Sequence, residues 1–101
     1  MSGKYTIRLL PIAEEDLDEI IAHIASDNLD AAEKLADRIE SDLDTLSSFP
    51  ELGRVPRDSD LREAAYRHLI VADYLVFYTI DKSTIFVHRI FHGARDYKEL
   101  L

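Results

Sequence analysis

Three apolar runs in the second half of the chain lie only two or three residues apart, and this spacing restricts the fold more than any other feature. Connections this short join antiparallel strands, because a parallel pair needs a crossover of about a dozen residues or more. The sequence therefore predicts three consecutive antiparallel strands. They cover residues 65–71, 74–80 and 84–92, with Ala72-Asp73 and Asp81-Lys82-Ser83 as the turns between them.

The last of these strands is apolar on both faces, which is typical of a strand in the middle of a sheet. Because side chains alternate along a strand, each face receives every second residue. The two predicted sets are Ile85, Val87, Arg89 and Phe91 on one face, and Phe86, His88, Ile90 and His92 on the other. Residues 95–101 are expected to form a short terminal helix that folds Leu100 and Leu101 back on the sheet.

In the first half of the chain most apolar residues recur at a different spacing, that of a helix. Residues 4–10 alternate as a strand, which Pro11 ends. Apolar residues then recur at helical spacing over 11–25 and again over 29–46, and the tight connection at residues 26–28 predicts an αα-hairpin. Residues 51–61 are expected to be a loop. The order predicts an α+β fold, in which an N-terminal strand and a helical hairpin precede antiparallel strands and the helices pack on one face of the sheet.

Length and composition narrow the class of protein. A chain of 101 residues favours a single domain over residues 1–101. The absence of cysteine excludes a disulfide framework and a thiolate metal site. The N-terminal region lacks the apolar run of a signal peptide, and no stretch approaches the ~20 apolar residues of a membrane span. We therefore expect a soluble cytoplasmic protein with no membrane partner and no cofactor.

The net charge of −8 is unevenly distributed. Residues 1–50 hold four bases and twelve acids, whereas residues 51–101 hold eight of each. This balance argues against a basic surface that covers the whole molecule and binds nucleic acid. It allows a local basic patch in the second half, where Arg54, Arg57 and Arg62 lie on or near the predicted loop.

Several residues have a structural interpretation beside a functional one. Arg89 lies among apolar neighbours, so we expect either a carboxylate partner within the fold or a role in binding a partner protein. His88 and His92 are four residues apart, which on a strand is ~13 Å and too far for one metal ion. No metal site is therefore expected. The tyrosines at 66, 74 and 78 are expected to pack in the core.

Three local patterns, together with the order of elements, carry a resemblance to a known family. They are FPELGRVP after the second helix, the hairpin YRHLIV/YLVFYTI, and the ending VHRIFHGARDYKELL. Over nearly its whole length the chain resembles the RelE/ParE superfamily, the toxins of type II toxin–antitoxin modules. The resemblance implies a toxin that a cognate antitoxin binds and neutralises in a hetero-oligomer. It also implies one of two activities, which are messenger RNA cleavage on the ribosome and inhibition of DNA gyrase.

The hairpin favours the ParE branch of this superfamily. Leu75 stands where RelE-like nucleases commonly have an arginine, and YLVFYTI is similar to the hairpin of ParE-like members. The resemblance therefore implies a gyrase inhibitor that acts by protein–protein contact and has no catalytic residues. The expected contacts are the helical hairpin and a set of residues in the second half. This set comprises Arg54, Arg57, Arg62, Arg89, Arg95, Tyr97, Leu100 and Leu101.

Two alternatives remain open from the sequence. The first is a ribosome-dependent messenger RNA endoribonuclease of the RelE type. Its chemistry would need groups that move protons and stabilise the charge on phosphorus. The candidates are Arg67, His92, Arg95 and Tyr97, with His92 and Tyr97 as acid and base. The second alternative is a relative that has lost its activity and only binds an antitoxin.

Overall fold

The computed structural model describes residues 4–93 and residue 101. Two long helices and a four-stranded mixed sheet form the fold, so the predicted α+β architecture is confirmed. The predicted helix over 95–101 lies outside the described residues, apart from its last residue. The elements are β1 Thr6–Leu9, α1 Pro11–Asp27, α2 Leu29–Ser48, α3 Ser59–Glu63, β2 Arg67–Val71, β3 Tyr74–Asp81 and β4 Thr84–His92.

Asn28 separates the two long helices and caps both of them. Its backbone N–H donates to the Ile24 carbonyl at 2.8 Å, which closes α1. Its side-chain oxygen accepts from the Ala31 N–H at 3.0 Å, which satisfies one of the free donors at the start of α2. Pro11 occupies the first turn of α1, where its missing N–H costs nothing. Both helices end two residues later than the sequence predicts.

The sheet has the strand order β1-β4-β3-β2. The predicted antiparallel pairs are present, and β1 lies parallel to β4 at the other side, so that β4 is central. A parallel β1–β4 pair requires a long connection, and here it contains the helical hairpin, α3, β2 and β3. Two-residue turns join the antiparallel strands, and each begins with a positive φ, at Ala72 (53°) and at Lys82 (56°).

A β-bulge at His88 changes the predicted faces of β4. Val87 lies opposite Tyr78, whereas Arg89 lies opposite Phe77, so His88 is one residue more than β3 can match. Beyond this point the alternation shifts by one. Ile90, which was predicted on the opposite face, joins Ile85 and Val87 in the cluster against the helices. The prediction for Arg89 and Phe91 was therefore wrong as well, and Phe91 belongs to a second cluster on the other face.

The core consequently has two parts of unequal size. The larger part lies between the sheet and the two long helices and includes Leu35, Ile39 and Leu46 of α2. The smaller part lies on the opposite face of the sheet and is built around Leu61, Phe77 and Phe91. Leu101 packs against this second cluster, as predicted for the end of the chain.

The short helix α3 lies where the sequence predicts loop. Asp58 caps its start by accepting from the Leu61 N–H at 3.1 Å. At its end Ala65 has a φ of 64°, and the Ala65 and Tyr66 N–H groups donate to the carbonyls of Arg62 and Leu61. These two bonds form a Schellman motif, which normally places glycine where Ala65 stands. Because α3 has only five residues and lacks that glycine, its amino acids carry no recognisable helix signal.

No helix among residues 4–93 has the length and the apolar character that crossing a membrane requires.

Candidate functional site

Four arginines lie around the outer strand β2 and the loop that precedes it. The Arg54 backbone pairs with His68 of β2 through two hydrogen bonds of 2.8 and 2.9 Å. The Arg62 guanidinium donates to the Arg57 carbonyl at 3.0 Å. The Arg67 guanidinium donates to the carbonyls of Gly53 and Glu51, at 3.0 and 3.3 Å. The structure therefore places Arg54 beside Arg67, and Arg57 beside Arg62.

Tyr78 holds this loop in place. Its side chain is fully buried, and its hydroxyl donates to the Pro50 carbonyl at 2.7 Å and accepts from the Gly53 N–H at 2.9 Å. Burial raises the pKa of the phenol, so the hydroxyl keeps its proton at neutral pH. A Cβ at position 53 would lie 2.5 Å from the Tyr78 oxygen, which explains the glycine in FPELGRVP. The packing role predicted for Tyr78 thus includes two hydrogen bonds.

Arg89 has a carboxylate partner within the fold. Its guanidinium binds Asp16 of α1 through two hydrogen bonds of 2.7 and 3.0 Å, and both side chains are more than four-fifths buried. The same carboxylate accepts from the Ile90 N–H at 3.0 Å. The hydrogen bond to Asp16 raises the pKa of Arg89. Asp16 therefore satisfies the edge of β4 just beyond the end of β1.

The residues proposed for nuclease chemistry do not all lie together. Arg67 is opposite Tyr78 on β3, and His92 is opposite Tyr74, four residues further along the same strand. The two residues are offset by four positions along the strands and by two strand spacings across the sheet, so their Cα atoms are about 16 Å apart. His92 is exposed, and its ring packs edge-on against Tyr74 at 5.5 Å between centroids. Arg95, Tyr97 and Leu100 lie outside the described residues.

The face of the sheet opposite the two long helices, called the second face from here on, carries a polar group that sequence reasoning missed. The His88 ring lies between the Thr79 hydroxyl, 2.9 Å from Nε2, and the Tyr66 hydroxyl, 3.4 Å from Nδ1. Burial lowers the pKa of His88. The pKa of His68 is also lowered, first by burial and then by the nearby Arg54 charge. The partners of His88 lie 9 and 22 residues away in the chain, and such contacts leave no local pattern in the sequence.

Within residues 4–93, no three histidine, aspartate or glutamate side chains lie close enough together to hold an ion. His88 already has a hydroxyl at each ring nitrogen, and His92 lies further along the strand.

An apolar groove of about 510 Å³ runs between the two long helices. Leu17 and Ile21 of α1 form one wall, and Ile39 and Leu43 of α2 form the other. Asp18, on the α1 wall, and Glu40, on the α2 wall, add negative charge. The helical hairpin therefore offers an apolar surface with an acidic border.

Comparisons with known proteins point to one family. A family model described as the ParE toxin of the type II toxin–antitoxin system parDE matches residues 7–97. A curated relative from Sinorhizobium fredii (strain NBRC 101917 / NGR234), named "Putative toxin Y4kP", is 31% identical over 100 residues. That alignment covers 97% of this chain and 94% of the relative.

Two solved structures share the fold. A chain of the chromosomal ParDE system from P. aeruginosa superposes with a TM-score of 0.72 at 19% identity, over 90% of this chain and 98% of that one. A chain of the RelBE2 toxin–antitoxin complex from Mycobacterium tuberculosis superposes with a TM-score of 0.60 at 26% identity, over 88% of this chain and 98% of that one. Because the family model spans nearly the whole sequence, the chain belongs to the ParE toxin family of type II toxin–antitoxin systems, within the ParE/RelE superfamily.

Proposed function

We propose that this toxin inhibits DNA gyrase by protein–protein contact, without catalysis of its own, and that a cognate antitoxin neutralises it. The match to the ParE family over residues 7–97 supports the first part. The second part is supported by the solved relatives, which are described as a toxin–antitoxin system and a toxin–antitoxin complex. Gyrase acts in the cytoplasm, so the proposal places the protein there.

The separation of Arg67 from His92 is the observation that carries this choice of branch. Metal-free cleavage of RNA needs an acid, a base and a charge-stabilising group within hydrogen-bonding reach of one phosphate. The Cα atoms of two of the four candidates lie about 16 Å apart, so both side chains would have to extend toward each other to reach one phosphate. The Arg67 guanidinium also donates to two carbonyls of its own loop. Leu75, at the position where RelE-like nucleases commonly have arginine, packs partly buried against the second cluster.

Protein contact suits the surfaces that the structure offers. The helical hairpin presents an apolar groove bordered by acids, and the β2 side presents Arg54, Arg57 and Arg62. Each combines apolar area with charge, which is how protein interfaces obtain affinity and orientation. Two such surfaces on one small domain are enough for a target and an antitoxin.

The test is an in vitro supercoiling assay with purified gyrase and this protein, run in parallel with an assay of ribosome-bound message. Blocked supercoiling with intact message is the expected result. Cleaved message with normal supercoiling would overturn the proposal in favour of the endoribonuclease. If neither reaction changed, the inactive antitoxin-binding relative would replace both.

Two variants separate the branches further. His92→Ala and Arg95→Ala remove two of the four groups proposed for nuclease chemistry. Under the gyrase proposal, His92→Ala is expected to inhibit supercoiling within about twofold of the parent, because a contact surface tolerates the loss of most single side chains. Arg95 is also a predicted contact residue, so its replacement is expected to weaken inhibition without any effect on message. Loss of message cleavage in either variant would contradict the proposal.

A further inference from the structure

The loop 49–57, between α2 and α3, exposes large apolar side chains. Among the described residues, six large hydrophobic side chains are exposed, and three of them belong to this loop. They are Phe49, Leu52 and Val55, which are 63%, 51% and 49% exposed. Such grouping of exposed apolar side chains marks an interaction surface, whereas single ones are ordinary.

The sheet holds this loop in one conformation. Tyr78, Arg67 and His68 each make two hydrogen bonds to its backbone, at distances between 2.7 and 3.3 Å. Because the apolar side chains of the loop stay in water, fixing its backbone adds little buried apolar area to the fold. A loop that is fixed in advance loses less conformational entropy when it binds, which is how preorganisation raises affinity.

Leu52 forms a ridge between two grooves. One groove, of about 320 Å³, has Ile70 of β2 in its wall, and the other, of about 600 Å³, has Phe49 in its wall. Leu52 lines both of them. Arg54 and Arg57 are exposed on the same loop, and within residues 4–93 neither has a carboxylate within 4.0 Å. The loop therefore combines a projecting apolar ridge with positive charge.

We propose that the loop 49–57 is the element that contacts gyrase, and that Tyr78 is the positioning residue that keeps the loop in its binding conformation. Phe49 and Leu52 would enter an apolar pocket on the gyrase surface, and carboxylates at the rim of that pocket would face Arg54 and Arg57. Buried apolar anchors inside a polar rim are the usual source of affinity in protein interfaces. The inference rests on the proposed function for the identity of the target, and it adds the contact surface and its chemistry.

The shape and charge of the loop favour a folded target over other occupants. A flexible peptide segment binds in grooves or along strand edges, so it makes little use of a projecting ridge. A second copy of this chain would place one ridge against another and bring Arg54 and Arg57 against the same arginines. Duplex DNA would gain from the arginines alone, because its phosphates make no use of Leu52.

Two matched pairs of variants test the ridge. Leu52→Ser and Phe49→Ser each remove an exposed apolar side chain, so circular dichroism should show a folded protein in both cases. Their controls are Leu52→Met and Phe49→Leu, which keep an apolar side chain at the same position. In the supercoiling assay, each serine variant is expected to need about tenfold or more protein for half-inhibition of gyrase, and each control to stay within about threefold of the parent.

The outcomes separate this inference from the proposed function. Serine variants that fold and inhibit gyrase like the parent would overturn the inference while leaving the proposed function intact. Serine variants that inhibit normally but lose affinity for the antitoxin of the adjacent reading frame, measured by calorimetry, would overturn it in favour of the antitoxin as occupant of the loop. A parent toxin that does not inhibit gyrase would refute the proposed function, and this inference with it.

Tyr78→Phe tests the positioning role, because it keeps the buried ring and deletes the two hydrogen bonds to the loop. The Gly53 amide is expected to exchange its hydrogen about tenfold faster, and inhibition is expected to weaken about fivefold. Tyr74→Phe on the same strand is the control and should change neither.

A double variant separates positioning from a purely structural role. If Tyr78 acts through the loop, Tyr78→Phe should weaken inhibition by less than about twofold when Leu52→Ser is already present. The same loss of inhibition in both backgrounds would show that Tyr78 supports the fold as a whole, and it would overturn the positioning role.

Discussion

The two faces of the sheet are built by different means. The face under α1 and α2 is lined by apolar side chains such as Val76, Val87 and Ile90, all at most 1% exposed. The opposite face combines Phe77 and Phe91 with His68, Thr79 and His88. The first face derives its stability from buried apolar area, and the second also depends on hydrogen bonds and on histidines that remain neutral.

This difference follows from what covers each face. The helical hairpin spans the first face with two helices of 17 and 20 residues. In the described part of the chain, the second face receives the five-residue α3 and Leu101. A short cover leaves room for water and for partly exposed polar groups, so polar side chains are tolerated there. The comparison predicts that equal changes on the two faces have unequal effects.

The largest expected effect is that of one leucine truncation made on each face. Leu46→Ala removes a fully buried side chain of α2 and is expected to lower the free energy of unfolding by about 4 kcal/mol. Leu61→Ala in α3 is expected to cost about 2 kcal/mol, because a short helix can move into the space. Urea denaturation of the two variants measures both values. Equal costs would mean that the second face is packed as rigidly as the first.

Substitution of Asp16 tests the ion pair that connects α1 to the second face of the sheet. Its carboxylate binds Arg89, whose guanidinium lies 5.8 Å from the centre of the Phe91 ring. Asp16→Ala is expected to destabilise the fold by about 3 kcal/mol, because it leaves a mostly buried guanidinium and the Ile90 N–H without their acceptor. Asp18→Ala, at an exposed position on the same helix, is the control and should change stability by less than about 0.5 kcal/mol. Similar values for both aspartates would contradict a role for the buried pair.

Acid is expected to weaken the second face selectively. The pKa values of His68 and His88 lie below 6.5, their value in the unfolded chain, because burial disfavours the charged rings. The unfolded chain therefore binds more protons than the folded one once the pH falls below about 6.5. The free energy of unfolding is therefore highest above that pH, and it decreases as the pH falls from about 6.5 toward the lowered pKa values of the two histidines.

The pH dependence is measured by urea denaturation at several pH values from about 7.5 to 5. The variant His68→Gln/His88→Gln should show a flatter profile than the parent over this range. His23→Gln, a change at an exposed position on α1, should leave the profile unchanged. A double variant with the slope of the parent would show that other groups control the response to acid.

The helix face was predictable from sequence, and the second face was not. Repeats such as Leu35, Ile39 and Leu46 identify α2 by their period, and short turns identify the antiparallel strands. The bulge at His88 adds one residue without any signal in composition, so the faces of β4 were assigned wrongly beyond it. The contacts of His88 with Thr79 and Tyr66 join segments that are distant in the chain and have no local pattern either.

The candidate site was predictable only in its charges. Arg54, Arg57 and Arg62 stood out as cations on or near a loop. The need for Gly53 arises from Tyr78, which lies 25 residues away in the chain, and such a contact leaves no local pattern. The pairing of Arg54 with His68 joins residues 14 positions apart and is likewise a tertiary property.

The smallest expected effect concerns α3, the short helix that packs on the second face. Ala65 ends α3 with a φ of 64°, a conformation that costs an L-residue about 1 kcal/mol or more and costs glycine little. Ala65→Gly is therefore expected to stabilise the protein by about 0.5 kcal/mol, after the greater freedom of glycine in the unfolded chain is deducted. Ala64→Gly is the matched control, because Ala64 has a φ of −78° and glycine there brings only the entropic cost, about 0.5–1 kcal/mol. Opposite signs for these neighbouring changes, measured by thermal unfolding, would show that α3 contributes to stability through its Schellman motif. Two losses of equal size would mean that the end of α3 is not held in this conformation in solution.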